Sequence, residues 1–204
     1  MRSTKAKSAP LETCDTSQLH GKKVRNVYTE TYMVRETMFS DQTGQFPTRS
    51  QRGSEYIMVM VEINSNTILV EPMKSRKDEE MIRAYNTLLL RLKRAGIVPK
   101  KHVLDNEVSV NMKNHIRDTC KFEMELVPPG CHRRNTAEVA IHNFKAHFLS
   151  VLAGVADEFP PSLWDRLLPQ TEITINLIRQ SNATPNVLAY AHLSGPFDYN
   201  TKCR

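Results

Sequence analysis

A chain of 204 residues can form one domain of ordinary size with a substantial core. Hydrophobic residues make up 40% and charged residues 25%, and no apolar run nears the roughly 20 residues of a membrane-spanning helix, so neither a membrane span nor a membrane partner is expected. The net charge of +6 and sequence pI near 9.2 suit a polyanionic partner.

The N-terminus lacks the apolar core of a secretory signal, which leads us to expect an intracellular protein. Cys14, Cys120, Cys131 and Cys203 are scattered, with no C-x-x-C pair, which argues against a disulfide framework and a structural zinc site. Cys131 reads as a small loop residue.

Residues 1–31 read as a basic, largely disordered arm. Through residue 35 there are seven Lys or Arg against three acids, with much Ser and Thr and little apolar pattern. A solubilising tail or a fragment of a preceding domain explains this as well as DNA binding does. Ordered patterning begins near Tyr32, where "YMVRETMFS" predicts a strand ending at Asp41. Turn residues Gly44, Pro47 and Gly53 follow. "YIMVMVEI" (56–63) is nearly continuously apolar, as in a strand buried on both faces. "NSN" is a tight turn, and "TILVEPM" (67–73) completes a hairpin.

The next segment predicts a long helix, started by Ser75 with Asp78 in a capping arrangement and stopped at Gly96. Met81, Ile82, Tyr85, Leu88, Leu89 and Leu92 make its apolar stripe. "KKHVLDNE" gives a short strand ending at Asp105, 109–119 a helix, and "FEMELVPP" a strand stopped by Pro128 and Pro129. A helix is predicted over 136–152. Pro160 and Pro161 precede another, which Pro169 should kink or break. A short final helix ends at Gly195.

The order β-β-β-α-β-α-β-α-α implies an α/β fold with a mixed sheet and helices packed on it. It is the order of ribonuclease H-like domains: a mixed five-stranded sheet with helices on both faces, plus extra C-terminal helices. We expect a core over 32–160 and a C-terminal helical extension over 161–204.

Three carboxylates stand where such folds place sites. Asp41 and Asp105 lie at the C-terminal ends of the first and fourth strands, and Glu138 in the first turn of the helix over 136–152. Converging, they could hold two divalent ions, Mg²⁺ or Mn²⁺, which suit hard oxygen ligands and phosphodiester chemistry. Each acid has a plainer explanation. Asp41 and Asp105 fit turns, and Glu138 fits the third position of a capping box. Along the helix, Arg134, Glu138, His142 and Lys145 share one face, with Ala137, Ile141, Phe144 and Phe148 on a second stripe about a quarter turn away. The bases could meet backbone phosphates or be no more than a solvated face.

These residues resemble a known family. The blocks "SDQTGQFPTRS", "LDNEVS", "LVPPGCHRRNTAEVAIHNFKAHF" and "LWDRLLPQTEITINLIRQSNATPNVLAYAHLSGPFDYN" are similar to the integrase catalytic core of copia-type LTR retrotransposons, a DDE-type domain with the ribonuclease H-like fold. The resemblance runs from about Met38 to Asn200. It implies that Asp41, Asp105 and Glu138 are catalytic and bind two Mg²⁺ or Mn²⁺ ions. It implies that Lys145 holds element-end DNA; Arg133, Arg134 and His142 are expected beside it as further DNA-binding bases. The implied reaction is a transesterification in which a 3′-hydroxyl of element DNA attacks target DNA, together with hydrolytic trimming of the ends. Homo-oligomers on DNA, in the nucleus, are expected.

The 32 residues between Asp105 and Glu138 are fewer than retroviral relatives usually have, which bears on loop length. No zinc-binding HHCC module, C-terminal DNA-binding domain or reverse transcriptase motif is recognisable. The chain therefore reads as part of a longer polyprotein or a decayed copy. An alternative from another class is a catalytically inactive nucleic-acid-binding remnant of a retroelement. A host ribonuclease H-like nuclease leaves the C-terminal blocks unexplained.

Overall fold

The structure, a computed structural model, describes residues 36–104, 108–126, 136–198 and 200; of residues 136–138 only the helical backbone is described. The basic arm expected over 1–31 lies outside these residues, as do Asp105, Arg133 and Arg134.

Five strands form one sheet in the order β3-β2-β1-β4-β5. They are β1 (Thr37–Gln42), β2 (Tyr56–Glu62), β3 (Thr67–Met73), β4 (Lys101–Leu104) and β5 (Glu123–Leu126). The first three pair antiparallel; β4 and β5 join in parallel beside β1. This is the mixed sheet that the element order predicts. The 56–73 hairpin turns through Asn66, whose φ of 57° Asn tolerates better than most residues. Buried Glu62 accepts the Asn64 and Ser65 N–H groups at 2.9 and 2.8 Å and so shapes that turn.

The long helix α1 (Asp78–Arg94) has acids in its first turn and bases in its last, matching the helix dipole. Its start differs from expectation. The N-cap is Lys77, with no side-chain cap bond, and not Ser75. Glu80 instead reaches back to the Lys74 N–H at 2.9 Å, tying the preceding turn to the helix. Gly96, at φ 75°, ends the helix in a conformation that costs other residues strain. The helix expected over 109–119 begins as α2 (Val110–Asn114), capped by Ser109 on the Met112 N–H, and continues as a π-helical turn, His115–Thr119.

Helix α3 (Thr136–Ala153) follows. Pro169 breaks the next predicted helix in two: a 3₁₀ turn (Pro161–Leu167) leads into α4 (Leu168–Leu177), with the proline in the first turn, where a missing N–H costs nothing. Helix α5 (Ala189–Ser194) ends at Gly195. No helix among the described residues is long and apolar enough to cross a membrane.

Two cores cover the two faces of the sheet. On one, Phe39, Val59, Val61, Val70 and Val103 pack with Ile141, Phe144 and Phe148 of α3 and with Trp164, Leu168 and Ile175. On the other, Met38, Met58, Met60, Met73 and Leu104 pack with Met81, Tyr85, Leu88 and Leu92 of α1 and with Met112 and Ile116. The outer edge of β3 is closed by side chains. Ile68 N–H donates to Asn176 Oδ1 at 2.9 Å, and Asn176 Nδ2 donates back to Ile68 O at 2.7 Å. Val70 N–H donates to Glu172 Oε2 at 2.9 Å, while Arg83 reaches Pro72 O and Arg179 reaches Asn66 O. Pro72 offers no N–H, as suits an edge position.

Candidate functional site

The parallel pairing of β1 with β4 positions the sheet end that carries the candidate acids. Phe39 is level with Val103, so Leu104 follows one step behind the level of Asp41 and immediately precedes Asp105 in sequence. Side chains alternate along a strand. Phe39 and Val103 both pack in the core under α3, which assigns Asp41, two residues on from Phe39, to the α3 face. Asp41 is half-buried, and its Oδ1 accepts the Gln42 N–H at 2.7 Å.

The loop after Asp41 is held firmly. Thr43 N–H donates to Ile57 O at 2.9 Å, and Ile57 N–H donates to Thr43 Oγ1 at 3.0 Å. Arg76 donates to Thr43 O at 2.7 Å while lying over the Tyr56 ring. Phe46 stacks on Trp164 at 4.3 Å and meets Phe148 edge-on at 5.9 Å. Trp164 Nε1 donates to Thr48 O at 2.8 Å. The chain leaving Asp41 is thus fastened both to α3 and to the segment before α4. The sequence shows this loop only as turn-rich; its anchors are aromatics more than 100 residues apart.

Helix α3 divides as its periodicity predicts. Ile141, Phe144 and Phe148 are buried, joined by Ala140, while His142 and Lys145 are exposed. Glu138 is the third residue of the helix, but its side chain lies outside the described residues, as does that of Ala137 in the expected stripe. Of the three candidate acids, only Asp41 is therefore described to its carboxylate. Among the described residues, no three His, Cys, Asp or Glu side chains gather as a metal-holding group.

Directly beneath the two strand ends, on the α1 face, lies a polar cluster that the sequence did not flag. His102, wholly buried in β4, makes a 2.9 Å bond from Nε2 to Ser40 Oγ on β1. Its Nδ1 meets Tyr85 Oη of α1 at 3.2 Å, with the rings stacked at 5.2 Å. Burial lowers the His102 pKa to about 3 and pushes the Tyr85 hydroxyl far up, so both are neutral near pH 7. The only cue in sequence is a lone histidine inside "KKHVLD", which reads equally as a filler of an apolar strand.

A cleft of about 630 Å³ lies elsewhere, beside β3, lined by Arg52, Arg91, Arg94, Asp165, Glu172 and Tyr190 among others. Asp41, His142 and Lys145 do not line it. In it, Arg91 forms a two-pronged ion pair with Glu172. Burial raises the Glu172 pKa, opposed by the Arg91 guanidinium.

No family model matches the sequence. No curated protein matches it either. Solved structures do. A chain of the simian T-cell lymphotropic virus intasome, determined by cryo-EM in complex with the PP2A regulatory subunit B56 gamma, matches with a TM-score of 0.58 at 16% identity, over 78% of this chain and 54% of that one. This chain thus spans about half the length of that relative. The catalytic core domain of HTLV-2 integrase, solved with magnesium in a trimeric form, matches with a TM-score of 0.57 at 14% identity, over 79% of this chain and 98% of that one. The fold of this chain is that of retroviral integrase catalytic cores, a ribonuclease H-like mixed sheet flanked by helices.

Proposed function

We propose that the chain is the catalytic core of a copia-type retrotransposon integrase, a DDE polynucleotidyl transferase acting on DNA. The observation that carries this reading is the parallel pairing of β1 with β4. It directs two strand ends, one bearing Asp41 and the other leading into Asp105, the same way beside the helix that contains Glu138. The match to an integrase core solved with magnesium supports it.

Carboxylates supply the hard oxygen donors that Mg²⁺ or Mn²⁺ prefer. Asp41, half-buried at the end of a strand and steadied by the Gln42 N–H, fits that role. Asp41, Asp105 and Glu138 would hold two ions, which when bound would neutralise charge at a phosphodiester undergoing in-line displacement. His142 and Lys145, exposed on α3, would meet backbone phosphates, with Arg133 and Arg134 just before the helix. The anchored loop after Asp41 would keep that acid in register with the phosphate. The attacking group would be a 3′-hydroxyl of element DNA, or water when ends are trimmed. Assembly of several copies on DNA, in the nucleus, belongs to the same reading.

The test is direct. The purified chain, with Mn²⁺ or Mg²⁺ and oligonucleotides mimicking element ends, should nick or join DNA. Glu138→Gln should abolish this, and activity that survives the change sinks the role of Glu138. Mn²⁺ titration by calorimetry, with Asp105→Asn as control, should show carboxylate-dependent binding. DNA binding that is indifferent to metal and to all three acids would favour the inactive nucleic-acid-binding remnant.

A further inference from the structure

We propose that Ser40, His102 and Tyr85 are positioning residues that fix the spacing of two strand ends, one bearing Asp41 and the other, at Leu104, leading in sequence into Asp105. The proposal rests on Asp41 and Asp105 being metal ligands. Direct β1–β4 pairing is short, from Thr37–Lys101 to Phe39–Val103. The His102–Ser40 bond runs diagonally past the last of these pairs: His102 is level with Met38, whereas Ser40 lies two residues on and adjoins Asp41. It therefore ties the strands together where the ladder stops, one residue before Asp41. Tyr85 holds the imidazole from the far side by a hydrogen bond and by stacking, so α1 also sets where the ring sits.

The surroundings explain why a polar cluster is needed. That face of the sheet is filled with Met38, Met58, Met60, Met73, Met81 and Met112. Methionine side chains are unbranched and adapt their shape, so beyond the last ladder pair their packing constrains the strand ends only loosely. Hydrogen bonds are directional, and a fully satisfied buried network specifies one arrangement. A neutral imidazole has one N–H and one bare nitrogen. One of Ser40 and Tyr85 therefore donates to the ring while the other accepts from it. Both hydroxyls are buried on the α1 face of the sheet, opposite α3, and would act through strand position.

The test uses the full chain with Mn²⁺ as probe. Tyr85→Phe keeps the ring and its stacking but removes the hydroxyl; Ser40→Ala removes the other anchor; Ser40→Thr retains a hydroxyl. Calorimetric Mn²⁺ affinity is measured well below each variant's melting temperature, on protein whose near-UV circular dichroism matches the parent. Both deletions should weaken Mn²⁺ binding about ten-fold, the lower end of what loss of an outer-shell partner costs. Ser40→Thr should restore most of it. Should Ser40→Ala fail to fold, Tyr85→Phe alone decides. Folded variants that bind Mn²⁺ as tightly as the parent overturn the proposal while leaving the metal reading intact. A parent chain whose Mn²⁺ binding is absent, or unaffected by Asp41→Asn, overturns the metal reading and the network's role with it.

Discussion

The two faces of the sheet are built from different materials. Under α3 the core is β-branched and aromatic: Phe39, Phe46, Phe144, Phe148 and Trp164 interlock with Val59, Val61 and Val70. Under α1 it is rich in methionine and leucine, with the Ser40–His102–Tyr85 cluster set among them beneath the strand ends. Aromatic and β-branched side chains have few rotamers and hold shape by packing alone. Methionine fills space without specifying it. The lesson is that this protein achieves rigidity in two ways, by interlocking on the face that carries Asp41 and by hydrogen bonding on the face behind it.

The contrast can be broken most sharply at Phe148. Phe148→Ala should cost about 3 to 5 kcal/mol in chemical denaturation, because stacked and edge-on partners cannot collapse into the void. A cost under about 1 kcal/mol would mean that the aromatic face is as adaptable as the other. Next is Glu172→Ala, at roughly 2 to 3 kcal/mol by the same measurement. It strands the Val70 N–H and the half-exposed Arg91 guanidinium together.

The third prediction uses pH. The folded-state pKa of His102 is depressed to about 3, while the unfolded chain titrates near the ordinary value of 6.5. The unfolded state therefore takes up the proton first. The stability linked to His102 is complete above pH 6.5 and is lost as pH falls from there toward 3, by roughly 2 kcal/mol between pH 8 and pH 5. Denaturation curves at several pH values should show this slope in the parent and not in His102→Gln. Smallest is Met60→Leu, expected to cost under about 1.5 kcal/mol, since the methionine face repacks around a side chain of similar volume.

Much of this fold was legible in sequence because its signals are local. The apolar run at 56–63, the stripe and charge order of α1, and the break at Pro169 each depend on neighbours a few residues apart. The α1 start was misread at Ser75, since a capping pattern in sequence does not reveal which residue first turns helical; Lys77 holds that place without a side-chain bond. The Ser40–His102–Tyr85 cluster was not legible, because its members come from three elements and each fits an ordinary position in its own. The same holds for Glu172 and Asn176, an i, i+4 pair in a helix of mixed composition that gives no sign of which polar residues face the β3 edge. Of the candidate site, Asp41 at its strand end and exposed His142 and Lys145 lie where the sequence puts them; Asp105, Arg133, Arg134 and the Glu138 carboxylate fall outside the described residues.

The closed edge of β3 sets a schedule for synthesis. Ile68 meets Asn176 across 108 residues, and Val70 meets Glu172 across 102. A ribosome adding roughly 5 to 20 residues per second leaves about 5 to 20 seconds between the emergence of that strand and of the helix that seals it. During that interval an apolar strand with open backbone groups is available to any other nascent chain. Co-expression with a holdase that masks extended apolar segments during that interval should therefore raise soluble yield.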